Sequence, residues 1–445
     1  MTQEAPQDLP RVLGFWDGTA ITIGKMIGSG IFLTAPAVCA AFLSPVPVLF
    51  LWAFAGLLTL AGVLVYAEMA SAAPVTGGLY VYLERGYGRP VAFVYGWGYL
   101  LVRRSSSLAA QGVAFAGLVH GLLNLDFDIR WLAIAAIAFL TLVNIAGTRA
   151  SSMAMKALTF MKLAALALLF LAALFVGGGD WLRLEWLGIS AKDDPPATAA
   201  LLALFPILWS YSGWQDATFV SGEIKEPERT IPRFLIASIA TVTLVYVLAN
   251  LVYLYALGIE GLSSSKNAAG DSAARMGGPV LAAALTCGVA YSIFGTLNGG
   301  LLVGGRLGYA MAREGLMFRA LGIAPTSTRT PIVALAALGG VSIGYLFLTG
   351  EFLDLVKQAA FVEVLFGALG AGAVFFFRKR GLAGAFRSPW YPWLPALYIL
   401  VSAAMLTSSI LDRWERSLIV LGVLTAAFPV YWLWKWLFPP PSTTA

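Results

Sequence analysis

The residues most able to do chemistry here are few, and most lie inside long apolar runs. Lys162 sits within the run Leu158–Phe175, Lys25 follows a run that begins near Phe15, and Arg103 and Arg104 precede Ser105-Ser106-Ser107 in another. Asp216 and Glu363 are acids in similar surroundings. An ionisable group in such a run is costly to hold and is a functional candidate by default. Two further segments could bind a ligand through main chain. Gly28-Ser29-Gly30 and Ser210-Tyr211-Ser212-Gly213 place glycine and serine in the middle of apolar runs, where they let the backbone leave helical geometry. Covalent chemistry finds little support. There is one histidine, His120, no Gly-x-Ser-x-Gly elbow and no metal-ligating cluster, so a membrane hydrolase or metalloenzyme is excluded as a leading reading. His120 reads as structural. No cofactor is expected.

The elements that must position these residues follow from composition. The chain has 445 residues, of which 59% are hydrophobic and only 12% charged, against about a quarter charged in soluble domains. The apolar residues form blocks of roughly twenty, enough to cross a hydrocarbon core of about 30 Å as helices. Continuous Leu, Ala and Val runs lack the alternation of a membrane β-barrel. Twelve spans are expected, at about 15–40, 46–70, 89–121, 131–148, 155–177, 199–221, 232–259, 278–312, 331–349, 352–377, 390–410 and 416–438. The fold class is thus all-α integral membrane protein. Residues 1–12 and 439–445 are tails, and 13–438 form a single transmembrane domain. With the N-terminus inside, 17 Lys and Arg fall on the cytoplasmic side and 8 on the outer side, a positive-inside bias that places both termini in the cytoplasm. The net charge of +6 therefore reports orientation and not a nucleic-acid partner. Cys39 and Cys287 lie in apolar segments, so no disulfide framework is expected. The polar N-terminal tail contains Glu4 and Asp8 and does not read as a cleavable signal.

The two glycine–serine interruptions fall in spans one and six. If the first ten spans are two inverted five-helix repeats, at about 15–177 and 199–377 with extra helices at 390–438, those spans occupy corresponding positions. A matched pair of broken helices points to a transporter's binding site. The alternative is that the small residues only let neighbouring helices approach closely.

Four motifs, in order, resemble the amino acid–polyamine–organocation transporters, and within them the L-amino-acid branch and its bacterial relatives. They are Ile27-Gly28-Ser29-Gly30-Ile31-Phe32, then Tyr66-Ala67-Glu68 with Pro74 to Tyr80, then Trp209 to Trp214 leading to Gly222-Glu223-Ile224 and Ile231-Pro232-Arg233, and finally Phe294 to Gly299 with Arg306 and Ala312-Arg313-Glu314-Gly315. The similarity runs from about Gly14 to Arg380. It implies the LeuT-type fold and a secondary transporter in the cell membrane, a permease or antiporter for amino acids. Neutral substrates are favoured, since no pair of acids lines the breaks, with sodium-independent exchange or proton-assisted uptake as the mode. The nearest alternative is a carrier of cationic amino acids or polyamines, for which Asp216 argues. A remoter one is a sensor that binds amino acids without moving them.

A zwitterion in a dry cavity needs both charges satisfied. The outer half of helix one presents free N–H groups at Ser29, Gly30 and Ile31, which suit a carboxylate, and Gly28 gives the ligand access to main chain. The resemblance assigns the ammonium to carbonyls of Met26, Trp209 and Ser212. Trp209 and Tyr211 are candidates for the side-chain pocket, and Trp209 matches an aromatic lid. Lys162 matches a helix-five lysine of sodium-independent members that replaces the cation held between helices one, five and eight. Otherwise it snorkels to the inner surface. Lys25 stands where the family has a small or polar residue. If it faces the site it repels cations, and Glu363 and Asp216 are its possible partners. Glu68, Glu223, Arg306 and Arg313 sit at cytoplasmic ends, as inner-gate pairs or as solvated charges of little energetic weight. Some L-type relatives are disulfide-linked to a heavy subunit through a cysteine between helices three and four. The loop Gly121 to Arg130 has none, so no such partner is expected. Short loops and tails suggest a bacterial inner membrane.

Overall fold

The structure is a computed structural model that describes residues 11, 13–73, 78–147, 151–184, 195–217, 224–313, 315–325, 330–382, 384 and 386–437, without the side chains of 151–161, 216, 217 and 437. Helices α1 (Phe15–Met26), α2 (Gly30–Leu33) and α3 (Ala35–Ala40) occupy the first expected span. They are followed by α4 (Pro45–Ala72), α5 (Leu79–Tyr87), α6 (Arg89–Gly98) and α7 (Ser105–Leu123), the last two joined by a π-helical turn at Tyr99–Arg104. Then come α8 (Ile129–Ala146), α9 (Ser151–Phe175), α10 (Pro196–Ser210), α11 (Trp214–Ala217), α12 (Pro227–Ser264) and α13 (Ala268–Arg313). The series ends with α14 (Ile332–Leu348), α15 (Phe352–Lys379), α16 (Trp393–Asp412) and α17 (Trp414–Leu437). No strand occurs among the described residues; Leu13 and Ile224 form one isolated bridge.

Eight helices among the described residues are long and apolar enough to cross a membrane, and α10, α14 and the second part of α9 are shorter apolar helices. Large apolar side chains such as Phe50, Leu57, Phe139 and Leu174 stand exposed on the perimeter. A helix apolar on all sides suits a hydrocarbon surround. Asp128 starts α8 by accepting the Arg130 N–H at 2.9 Å, and its carboxyl lies below the usual range because the Arg130 side chain and main chain both donate to it.

Three features depart from the expected spans. The segment after α4 contains α5, nine residues long with an apolar face buried at Leu79, Tyr80, Tyr82 and Leu83. The third span is not one regular helix but turns through the π segment. The seventh and eighth run beyond their expected ends, with a break in each: Gly258 has φ 70° in α12 and Gly278 has φ 76° in α13, before Pro279. Those breaks lie within a residue of the expected boundaries at 259 and 278, because glycine takes the left-handed conformation and proline denies the next hydrogen bond.

The middle of the molecule is dense. Packed against one another are α4 and α12, α7 and α13, α9 and α13, and α1 and α12. Gly18 makes the last contact possible, since a Cβ there would stand 2.7 Å from the Phe234 ring.

Candidate functional site

The first interruption lies between α1 and α2. Ile27 leaves helical geometry at φ −71°, ψ 86°, and the chain re-enters a helix at Gly30. The second lies between α10 and α11, where Gly213 has φ 112°. That conformation favours glycine, and a Cβ would also come 3.0 Å from the Lys25 carbonyl oxygen. The two interruptions touch: a Cβ on Gly30 would stand 2.6 Å from Ser210 Cα, and Thr34 and Ser210 hydroxyls are 2.9 Å apart. The main chain they release is partly satisfied from α12. The Tyr246 hydroxyl donates to the carbonyls of Met26 at 2.7 Å and Ser210 at 3.0 Å.

A cavity of about 710 Å³ opens between the interruptions, lined by Gly28, Ser29 and Gly30 on one side and Trp209, Ser210, Ser212 and Gly213 on the other. Met26 also contributes to the wall. The cavity continues along α1 to Leu13 and Asp17, and Asp17 is exposed, so the mouth lies toward the N-terminal half of α1. At the opposite end Trp209 is buried and meets Phe352 edge-to-face at 5.8 Å, while its indole N–H donates to Ser107 at 3.3 Å. Glycines 295, 299 and 300 of α13 form another wall.

Charged groups crowd this space. Lys162 is 4% exposed and its ammonium donates to the Gly24 carbonyl at 3.4 Å, close to the end of α1. Arg103 and Arg104 both line the cavity, as do Lys25 and Glu363. Arg103 pairs with Glu363 at 3.3 Å and donates to Gln215 of α11 at 3.3 Å. It therefore links the π turn, α11 and α15. Arg104 donates to the Tyr99 hydroxyl.

Residues 13–429 match the family described as amino acid permease. The chain belongs to that family. Among curated proteins, it is 31% identical to the serine/threonine exchanger SteT of Bacillus subtilis (strain 168) over 95% of this chain and 97% of that protein. It is 29% identical to the b(0,+)-type amino acid transporter 1 of Mus musculus over 95% and 88%. With the cystine/glutamate transporter of Homo sapiens the figures are 28%, 96% and 85%. The resemblance read from the motifs is therefore shown, and the protein is a multi-pass membrane transporter and not an enzyme.

Several of the permease's expected site residues lie off the cavity or are already engaged. Tyr211 does not line the cavity. It is 1% exposed, its hydroxyl donates to the Trp52 carbonyl at 3.0 Å, and its ring meets Tyr246 at 5.0 Å, so the non-helical turn directs it away from the space. The Ile31 side chain is likewise buried off the wall, which leaves only its N–H for a ligand. Met26 has a carbonyl already engaged by Tyr246. Trp214 meets Tyr66 edge-to-face at 5.0 Å. Glu68 is not at the cavity: Arg378 holds both carboxylate oxygens, at 2.7 and 2.9 Å, and the Ser388 N–H donates to it at 2.8 Å. This is a clamp between α4 and α15. Glu223 and the Asp216 side chain lie outside the described residues. Arg306 and Arg313 are exposed. Sequence reading missed Tyr246, Arg378 and Gln215. A matching acid on another helix was the only available signal for Arg378, and nothing in the sequence distinguishes Tyr246 from a packing aromatic.

Proposed function

We propose that this permease carries amino acids by alternating access, through sodium-independent exchange or proton-assisted uptake, in a twelve-span fold of two inverted five-helix repeats. The inverted repeats are 15–177 and 199–377, with 390–438 appended and both termini in the cytoplasm. The observation that carries this reading is that both main-chain interruptions and Lys162 open on one cavity. Interrupted helices in corresponding spans supply unsatisfied main chain at membrane depth. In this reading the N–H groups of Ser29, Gly30 and Ile31 receive the substrate carboxylate, with the Ser29 hydroxyl beside them. The ammonium lies against the carbonyls of Trp209, Ser212 and Met26, the last shared with Tyr246. Trp209 closes the far end, supported by its contact with Phe352, and excludes water when the site is filled. With the N-terminus inside, the mouth near Asp17 faces the cytoplasm.

Lys162 takes the place of a coupling cation. It reaches α1 through the Gly24 carbonyl and stands on α9, which packs on α13. Those are the three elements between which such a cation would lie. Exchange is supported by the names of the relatives, one a serine/threonine exchanger. Cationic substrates are disfavoured because Lys25 faces the cavity. No disulfide-linked partner is proposed, since the segment 121–130 lacks cysteine.

The test is uptake into proteoliposomes by the purified protein, with a labelled amino acid panel, with and without sodium, a pH gradient and internal amino acid. We expect saturable exchange independent of sodium, and a strong loss in Lys162→Ala. Binding without flux would replace the carrier by a sensor. Unaltered transport and pH dependence in Lys162→Ala would remove that lysine from the mechanism.

A further inference from the structure

Once the interruptions hold the two charged ends of an amino acid, its side chain must turn to another wall of the cavity. The wall made by α7 and α13, which pack on each other, carries only neutral residues among those described. Its depth follows from three contacts. Phe115 of α7 meets Phe294 of α13 at 5.0 Å, and a Cβ on Gly300 of α13 would stand 2.8 Å from Leu108 Cδ2 of α7. The two helices therefore run antiparallel here. Gln111 lies between Leu108 and Phe115, and Thr296 between Phe294 and Gly300, which puts them at one depth. That depth is the first interruption, since a Cβ on Gly28 would stand 3.7 Å from Thr296 Cγ2. Gln111, Thr296 and Gly28 all line the cavity.

The polar groups of this wall differ in what they leave for a ligand. Thr296 turns its hydroxyl to its own helix, donating to the Ile293 carbonyl at 2.9 Å, and its methyl is the part nearest Gly28. The α13 glycines bring no side chain. Gln111 is different. Its carboxamide nitrogen donates to the Ser107 hydroxyl at 3.4 Å, while its carboxamide oxygen is buried and has no partner among the described residues. Such an oxygen can accept two hydrogen bonds, and a buried polar atom left without any calls for an explanation. Ser107 also accepts the Trp209 indole N–H at 3.3 Å, so one hydroxyl joins Gln111 to the ring at the far end of the cavity.

We propose that Gln111 selects the substrate: its carboxamide oxygen accepts a hydrogen bond from the side chain of a neutral amino acid that carries a hydroxyl or a carboxamide, such as threonine, serine or asparagine. This rests on the transport reading above and names its substrate class. An aliphatic side chain of the same shape would cover that oxygen without giving it a donor. A site built around a hydrogen bond rejects the analogue that lacks it far more strongly than an apolar pocket rejects a missing methylene. A side-chain carboxylate would set two acceptors against each other. Because Ser107 bonds both Gln111 and Trp209, a substrate that holds the carboxamide also steadies the group on which the lid rests.

The experiment compares pairs matched in shape that differ in the donor. Purified protein in proteoliposomes is given labelled threonine and valine, serine and α-aminobutyrate, and asparagine and leucine. We expect the apparent affinity for threonine to exceed that for valine by about tenfold or more, with the other two pairs ordered the same way. Gln111→Met is close in size and lacks the acceptor, so it should bring the threonine-to-valine ratio to within about threefold of unity. Gln111→Leu serves as the second variant if Gln111→Met does not fold. The ratio is read within one preparation and so does not depend on the fraction that folds. Valine equal to or better than threonine in the unaltered protein overturns the proposal, whatever the variants do. A full ratio that survives in Gln111→Met or Gln111→Leu overturns it as well, because another group then discriminates. Absence of flux for every amino acid would instead sink the transport reading.

Discussion

The Glu68–Arg378 pair separates a fixed clamp from a moving gate. Glu68 has a side chain 3% exposed, whereas that of Arg378 is 23% exposed. The arginine also lies 3.7 Å from the Tyr391 ring centroid and donates to the Ser388 carbonyl at 3.3 Å. The two partners therefore have different prospects when left alone. In Arg378→Met the carboxylate stays buried with one N–H donor, from Ser388, and stranding a buried charge costs about 3–5 kcal/mol. In Glu68→Gln an acceptor of the same size remains and the guanidinium keeps water, Tyr391 and Ser388, so a loss of about 1–2 kcal/mol is expected. The double variant removes the stranded charge and should be more stable than Arg378→Met alone. Thermal unfolding in detergent, followed by the monodisperse fraction, should rank Arg378→Met lowest, then the double variant, then Glu68→Gln, then the unaltered protein. Substrate affinity below the transition should stay within twofold throughout. Unchanged melting with altered transport rates would refute the clamp and restore the gate, and a reversed order of the single variants would refute the burial argument.

Gly30→Ala should weaken substrate binding and cost about 1–3 kcal/mol through overpacking, since its Cβ would press on Ser210 Cα at 2.6 Å; full affinity in a folded variant would show that the two interruptions need not touch. Tyr246→Phe keeps the ring and removes the hydroxyl shared by Met26 and Ser210. It should destabilise by about 1–3 kcal/mol for the unsatisfied carbonyls, and an unchanged melting temperature would refute that role.

Much of the fold was legible because the hydrocarbon core imposes a length and a composition on every span. Described helices fall on each of the twelve expected segments, and the breaks at Gly258 and Gly278 coincide with expected ends. The interruptions near Ser29 and Ser212 were legible for a related reason: glycine and serine pairs are poor helix formers, and little else explains them in such runs. Helix α5 was read as loop because nine amphipathic residues carry too little periodicity to set them apart. The direction of Tyr211 could not be read, since outside a helix no period fixes the face. Glu68 and Arg378 are 310 positions apart, and only the packing of α4 on α15 joins them. The π turn lay hidden because its residues, Tyr99 to Arg104, suit a regular helix equally well. The burial of the two arginines was likewise left open by the sequence, and both line the cavity.

Tyr246 gives the two interrupted helices a common pin. Neither α1 nor α10 can slide along its own axis without stretching a bond from the same phenol oxygen, and that oxygen is anchored in α12. The pieces that precede the two interruptions are thereby yoked, and a cycle that keeps this joint intact must move them together around the cargo. The joint would also resist half-turned arrangements, in which one strut has moved and the other has not and the cargo could leak through.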